Sequence, residues 1–274
     1  MWRELTIISN NIKNNPIGFF DSGVGGLTVL KQLRELMPQE NCIYFGDTKN
    51  MPYGEKNKDQ LIKFSEGIFN FLGKQGVKAV VMACNTTSAT VYDTLKDNFD
   101  FKIYPIIQSV TKILAELPVK KLGILATHAT INSHAYKNGI QKINPDVEVI
   151  EHACPEWVKI VEGKLEDRPE SISAIKKDLD KVLSSTPDKI VLGCTHYPYL
   201  INILKEFAPE DMFINPATAF AKYIKKDLEN KGLASTASGH GREIYYVSGK
   251  PENFQTAASI FYPVKELPEQ IILN

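Results

Sequence analysis

Val77-Lys-Ala-Val-Val-Met-Ala-Cys84-Asn-Thr-Thr-Ser88 decides how this chain folds. Val77 to Met82 is a short, nearly unbroken apolar run, the pattern of a strand buried on both faces. It ends in a cysteine set among amide and hydroxyl side chains. Similar runs are Pro16–Phe20, Cys42–Phe45, Ile103–Ile107, Leu122–Leu125, Val147–Ile150, Ile190–Leu192 and, near the end, Glu243–Ser248. Most are separated by helix-length segments with apolar spacing near three and four, such as Leu27, Leu30, Leu33 and Met37, or Ile172, Ile175, Leu179 and Leu183. Strand–helix alternation at this pitch predicts an α/β fold, with mostly parallel sheets covered by helices on both faces. In such sheets ligands sit in the loops beyond the carboxyl ends of the strands.

The chain has 274 residues, ample for two ordinary domains. Its 32 Lys+Arg balance 32 Asp+Glu, so no global field attracts nucleic acid or an anionic membrane. With 43% hydrophobic and 23% charged residues, the composition is that of a globular protein and excludes disorder as the main state. No apolar run approaches the roughly 18 residues of a membrane span. Residues 1–15 have polar interruptions and do not read as a signal peptide. Four cysteines without a C-x-x-C pair are no disulfide framework. A cytoplasmic protein with free thiols is expected. Asn230–Gly241, rich in Gly, Ser and Thr, reads as a flexible surface loop.

The two halves echo each other. Ile17–Ser22 can be laid over Leu122–Thr127 at an offset of 105 residues, and Val80–Thr86 over Ile190–His196 at 110. Each half opens with a strand ending in a small hydroxyl residue, and each later carries a strand ending in a cysteine. Two such units facing each other would set Cys84 and Cys194 across one cleft.

Three stretches carry the chemistry. Asp21-Ser-Gly-Val-Gly-Gly-Leu-Thr28 follows the first strand, but Thr28 stands where a dinucleotide fingerprint needs its last glycine, and no P-loop Gly-Lys-Ser/Thr is present. The stretch is either a tight strand–helix turn or, through Asp21 and Ser22, a seat for an ammonium group. Gly46-Asp-Thr-Lys-Asn-Met-Pro-Tyr-Gly54 places a turn after the second strand, where backbone N–H groups can clamp a carboxylate or phosphate. Ala83–Ser88 and Gly193-Cys-Thr-His-Tyr-Pro198 each put a cysteine at the start of an expected helix, a place that lowers a thiol's pKa, with His196 adding to the effect. Cys42 and Cys154 read as small buried hydrophobes. A zinc site from Cys84, Cys194 and His196 lacks a fourth ligand and the usual close spacing. The remaining histidines, His128, His134, His152 and His240, are unclustered and read as structural.

Two opposed thiols can form a redox switch, ligate a metal, or serve as base and acid on one carbon. In the last case one thiolate removes a proton, the opposite thiol returns one to the other face, and the stereocentre inverts. No lysine motif or nucleotide fingerprint calls for pyridoxal or nicotinamide.

These segments, in this order, closely resemble the signatures of the aspartate/glutamate racemase family, in particular its bacterial glutamate racemases. The resemblance runs from about Pro16 to Val247-Ser-Gly-Lys-Pro-Glu-Asn-Phe254. It implies cofactor-independent interconversion of L- and D-glutamate for peptidoglycan, cell-wall biogenesis and cell shape, in a homodimer with no nucleic-acid or membrane partner. It implies two α/β domains with the site between them: residues 1–108 with 217–274, and residues 109–216. By motif, Cys84 acts on D-glutamate and Cys194 on L-glutamate, assisted by Asp21 and His196. Ser22 and Asp21 meet the ammonium; Asn85, Thr86, Thr127, Thr130 and Thr195 bond carboxylates or amine. Tyr53 and Gly54, after Pro52, offer backbone N–H groups to the side-chain carboxylate. Where the family follows Cys154-Pro155 with an apolar segment and two acids, this chain has Glu156-Trp-Val-Lys-Ile-Val-Glu162-Gly163. Glu162 aligns with an acid that aids the histidine. The leader before Pro16 has no counterpart in shorter members; it reads as a frayed end, with a dimer or regulatory element as the alternative.

The rivals are a racemase or isomerase of the same architecture acting on aspartate or another small acid, a non-catalytic partner-binding regulator, and a thiol redox switch. The switch needs sulfurs at disulfide distance, which leaves no room for a substrate carbon.

Overall fold

A computed structural model describes residues 12–273. Residues 1–11, most of the leader, lie outside that range, as does Asn274. Ten strands are formed among the described residues: β1 (Ile17–Asp21), β2 (Cys42–Gly46), β3 (Ala79–Met82), β4 (Lys102–Pro105), β5 (Lys121–Ala126), β6 (Glu148–Ala153), β7 (Lys189–Leu192), β8 (Phe213–Ile214), β9 (Glu243–Val247) and β10 (Glu269–Gln270). They make two sheets, ordered β10-β9-β2-β1-β3-β4 and β6-β5-β7-β8. All pairings are parallel, as the unbroken apolar runs require. The α/β expectation holds, and the echo between the halves has a topological counterpart: β2-β1-β3-β4 and β6-β5-β7-β8 are the same order.

Helices cover both faces. Leu27–Leu36 buries Leu27, Leu30 and Leu33 against the first sheet. Lys58–Lys74 covers the opposite face with Leu61, Ile68, Phe69 and Leu72. It starts at a capping box in which Asn57 accepts from Gln60 N at 2.9 Å and Gln60 accepts from Asn57 N at 3.1 Å. Pro216–Asn230 packs on Leu27–Leu36 and on Ile106–Ala115, and is opened by Asn215, which accepts from Ala217 N at 3.0 Å. One apolar cluster runs without a break from Phe19 and Tyr44 in the first sheet to Ile124 and Val191 in the second.

Two expectations are corrected, and two short strands join the sheets. The run Ile103–Ile107 is strand only to Pro105, which sits at the N-cap of Ile106–Ala115, so the two isoleucines open a helix. The strands β8 and β10 are only two residues long each. Asn230–Gly241 is no free loop. The helix continues to Asn230, and Ser235 is buried, its N–H donating to Glu40 Oε1 at 2.7 Å. The other Glu40 oxygen pairs with Lys78 Nζ at 2.5 Å, with both side chains buried. Breaking such a pair strands a buried charge, so Lys78→Ala should cost about 3–5 kcal/mol.

Candidate active site

Six strand ends feed one cavity. Ser22 follows β1, Met51 to Glu55 follow β2, and Cys84 to Thr86 follow β3. From the second sheet, Thr127 and His128 follow β5, Pro155 to Glu162 contribute after β6, and Cys194 to His196 follow β7. The space enclosed, counted to its open mouth, is about 660 Å³. Thus twelve of the fourteen singled-out residues line it: Ser22, Pro52, Tyr53, Gly54, Cys84, Asn85, Thr86, Thr127, Glu162, Cys194, Thr195 and His196. Asp21 and Thr130 do not reach the wall. Thr130 is buried behind Thr127, with the hydroxyls 3.1 Å apart, and Thr127 meets Thr86 across the cleft at 3.0 Å.

The two halves approach closely enough to require glycine at one position and to crowd a second. A Cβ on Gly25 would run into the Thr195 hydroxyl and the His196 ring. A Cβ on Gly54 would lie 3.0 Å from that of Thr127. Gly25 therefore lets the backbone after β1 lie against the Thr195 and His196 side chains, and a neighbouring glycine N–H is already used. Gly23 N donates to Asp21 Oδ2 at 3.0 Å, while the Tyr44 hydroxyl holds Gly23 O at 2.8 Å. Asp21 is fully buried, and its Oδ1 has no hydrogen-bond partner among the described residues. Burial raises its carboxyl above the usual range, opposed by His196 and by the N–H groups of Gly23 and Gly26.

Around Cys84 the expectation of a lowered thiol pKa fails. The residue does occupy the N-cap of Asn85–Thr90. Yet burial, reinforced by the charge of Asp21, pushes the thiol up to about 12 against the help of Thr87. Desolvation of a fully buried sulfur outweighs a two-turn helix. Cys194 departs in another way: it lies in a turn before the 3₁₀ segment Tyr197–Leu200, and no α-helix starts there. Its partner is His196, whose Nδ1 is 3.8 Å from Sγ. On the far side, His196 Nε2 is 2.8 Å from Glu162 Oε1. Burial disfavours the imidazolium, but Cys194 and Glu162 together win and push His196 up to about 10.

Tyr53 points away from the cavity, its hydroxyl donating to Asp47 Oδ2, so its backbone is what the site can use. Asp47 also accepts from Ser248 at 2.5 Å and from Asn50 at 3.0 Å. Four residues of consequence escaped the sequence reading. Asp47 stood in the quoted turn, but its partner Ser248 is 201 residues away. Tyr136, on Ala135–Gln141, donates to Asn85 Oδ1 at 2.7 Å and orients it from the opposite half. His128 and Lys159 line the cavity, the latter 3.5 Å from both Glu55 and Glu156. His134 and His152 are structural in geometry, paired with Glu151 at 2.6 Å and Asp178 at 3.0 Å. Cys42 and Cys154 are buried, as read, and burial pushes both thiols up. All four cysteines are free. Among the described residues, the one group of three or more His, Cys, Asp or Glu side chains with ligand atoms mutually within 4.8 Å is His152, Cys154 and Asp178, none of which lines the cavity.

Known proteins similar to this chain are racemases. Residues 27–224 match a family model described as Asp/Glu/Hydantoin racemase. A glutamate racemase of Caldanaerobacter subterraneus subsp. tengcongensis is 39% identical over 267 residues, spanning 95% of this chain and 98% of that one. The crystal structure of glutamate racemase from Francisella tularensis in complex with D-glutamate superposes with a TM-score of 0.87 at 32% identity, covering 96% of this chain and 98% of that chain. An aspartate racemase from Picrophilus torridus, 16% identical with a TM-score of 0.58 over 81% of this chain and 98% of its own, shares the fold alone.

Proposed function

The chain belongs to the Asp/Glu/Hydantoin racemase family, and from that premise we propose that it interconverts L- and D-glutamate by proton transfer at Cα between Cys84 and Cys194. The observation that carries this reading is that the two sulfurs line one cavity from the equivalent strand ends of two sheets of the same order. From L-glutamate, the Cys194 thiolate takes the Cα proton and leaves the electron pair on carbon. The Cys84 thiol then delivers its proton to the opposite face. The enzyme ends with a Cys194 thiol and a Cys84 thiolate, the state that accepts D-glutamate, so atoms and charge balance in both directions. The transfers are written between side chains of this chain, and no cofactor enters them.

The surroundings of each sulfur suit one role in that cycle. A Cys84 thiol held up near 12 is a proton donor in the empty site. His196, charged and braced by Glu162, offers its positive charge to the Cys194 sulfur. The substrate ammonium, met by Ser22 and Asp21, supplies the cation that the Cys84 side lacks. Asn85, Thr86, Thr127 and Thr195 bond the carboxylates or amine, with Thr130 holding Thr127. The backbone N–H groups of Tyr53 and Gly54, in the turn begun by Pro52, take the side-chain carboxylate. Such general acid–base contacts supply about 10²–10⁴-fold each, and fixed dipoles in a water-poor cleft supply the rest.

The same reading assigns residues 1–108 and 217–274 to one domain and 109–216 to the other, with the Pro216–Asn230 helix packed on the first sheet's Leu27–Leu36 helix in its support. It makes the protein a cytoplasmic homodimer supplying D-glutamate for peptidoglycan. No helix among the described residues is long and apolar enough to cross a membrane. The test is L-glutamate in D₂O without added cofactor, followed by circular dichroism and by NMR of Cα deuterium. Loss of optical activity with deuterium appearing at Cα is expected. Absence of both inversion and exchange overturns the reading, and faster turnover of aspartate would move it to the rival substrate.

A further inference from the structure

We propose that Asp178, acting through Trp157, is a positioning residue for the Cys194 half of the reaction; this rests on the two-thiol reading above. Asp178 lies on the Pro169–Leu183 helix, outside the cavity. Its Oδ2 accepts from the Trp157 indole N–H at 3.0 Å, and its Oδ1 lies 3.0 Å from His152 Nε2. Trp157 is fully buried in the first turn of Glu156–Glu162, the helix whose last residue holds His196. Seven residues are too few to hold an orientation by backbone hydrogen bonds alone, so the helix takes its angle from side-chain anchors. A buried indole N–H must find an acceptor, and a carboxylate gives a stronger, more directional bond than a neutral group.

The same indole ring also supports the opposite partner of the His196–Glu162 bond. It packs on Tyr197 with ring centroids 4.8 Å apart. Tyr197 directly follows His196, donates its hydroxyl to Cys154 O at 2.7 Å, and donates its backbone N–H to Cys194 O at 3.1 Å. Both the helix that carries Glu162 and the turn that carries Cys194 and His196 therefore rest on one tryptophan, whose rotation Asp178 sets. Trp157 touches the Cys194 half, and among the described residues no indole–carboxylate pair borders Cys84, so its effect falls on one proton transfer of the two.

Enantiomers interconvert with an equilibrium constant of one, so any variant must lose kcat/KM equally in both directions. Isotope effects break that symmetry. If transfer at Cys194 is slowed, removal of the proton from L-glutamate becomes fully limiting, while the carbanion formed from D-glutamate returns through Cys84. The experiment compares wild type, Trp157→Phe and Asp178→Asn on Cα-protiated and Cα-deuterated L- and D-glutamate, with thermal unfolding in parallel. Expected for Trp157→Phe are a roughly tenfold lower kcat/KM, a larger isotope effect on L-glutamate and a smaller one on D-glutamate, with Asp178→Asn shifted in the same sense. Unchanged kcat/KM, or a fall with both isotope effects as in wild type, would mean a merely structural contact and overturns the proposal. If Trp157→Phe does not fold, the isosteric Asp178→Asn decides by the same criterion. A wild-type protein that racemises neither enantiomer overturns the underlying reading and this one with it.

Discussion

The Cys84 and Cys194 ends of the cavity are built on the same strand order and furnished in opposite ways. On the first side a buried thiol pushed up to about 12 lies beside a buried carboxyl that burial also raises. On the second, a sulfur faces an imidazole whose far nitrogen is braced by a carboxylate. Two sheets of the same strand order supply the symmetry that inversion of a carbon needs. The unlike neighbours then set the two sulfurs apart: Cys84 holds its proton, while Cys194 has the His196 ring nitrogen 3.8 Å away.

The sharpest way to break this comparison is to remove one sulfur at a time. Cys84→Ala and Cys194→Ala should each lower racemisation by about 10²–10⁴-fold or more, read by circular dichroism. In D₂O the first should still exchange the Cα proton of L-glutamate only, and the second that of D-glutamate only. Exchange of both enantiomers in either variant would end the two-sided picture. Next in size is Glu162→Gln, with an expected loss of roughly a hundredfold. His196 is active as the imidazolium, so kcat/KM should fall as pH rises through about 10 in the wild type. Without its anionic partner the imidazolium is less stable, and the same fall should come at lower pH in the pH–rate profile.

Alkylation by iodoacetamide sharpens the contrast without mutation. With its thiol pushed up to about 12, Cys84 should label at a rate still climbing tenfold per unit at pH 10, followed by peptide mass spectrometry. Tyr136→Phe removes the one hydrogen bond through which the second half orients Asn85, and should cost about 1 kcal/mol of transition-state stabilisation, a several-fold loss in kcat/KM. The smallest effect is expected at Lys159, which bridges to Glu55 across the cavity mouth. Lys159→Gln should raise KM a few-fold and flatten the dependence of kcat/KM on salt, since an exposed charge at a cleft mouth acts mainly on encounter.

Much of the fold was legible because its strands are buried on both faces and so write themselves as apolar runs. Ile106 and Ile107 show the limit: an apolar pair after Pro105 fits a strand or a helix equally, and the N-cap geometry decides. At the site, residues in short contiguous motifs could be found, Cys84 to Thr86 and Cys194 to His196 among them. Glu162 came to notice through its resemblance to a family acid, and only the structure brings it to 2.8 Å from His196. Asp47, Tyr136, Trp157 and Asp178 could not be found, because each acts through a partner distant in sequence. The sign of the Cys84 shift was also out of reach. A helix start is visible in sequence, whereas the depth at which it is buried is not.

The pairing of β9 with β2 has a consequence for how the protein is made. Every strand of the β6-β5-β7-β8 sheet has been synthesised by Ile214, but β2 meets its outer neighbour only after Val247 is synthesised. Until then the nascent chain carries an open, apolar strand edge beside a finished sheet. The later-encoded half can mature first, and the earlier half waits for the tail of its own message to be translated. A chain stalled before β9 would expose that edge to any neighbour able to add a strand.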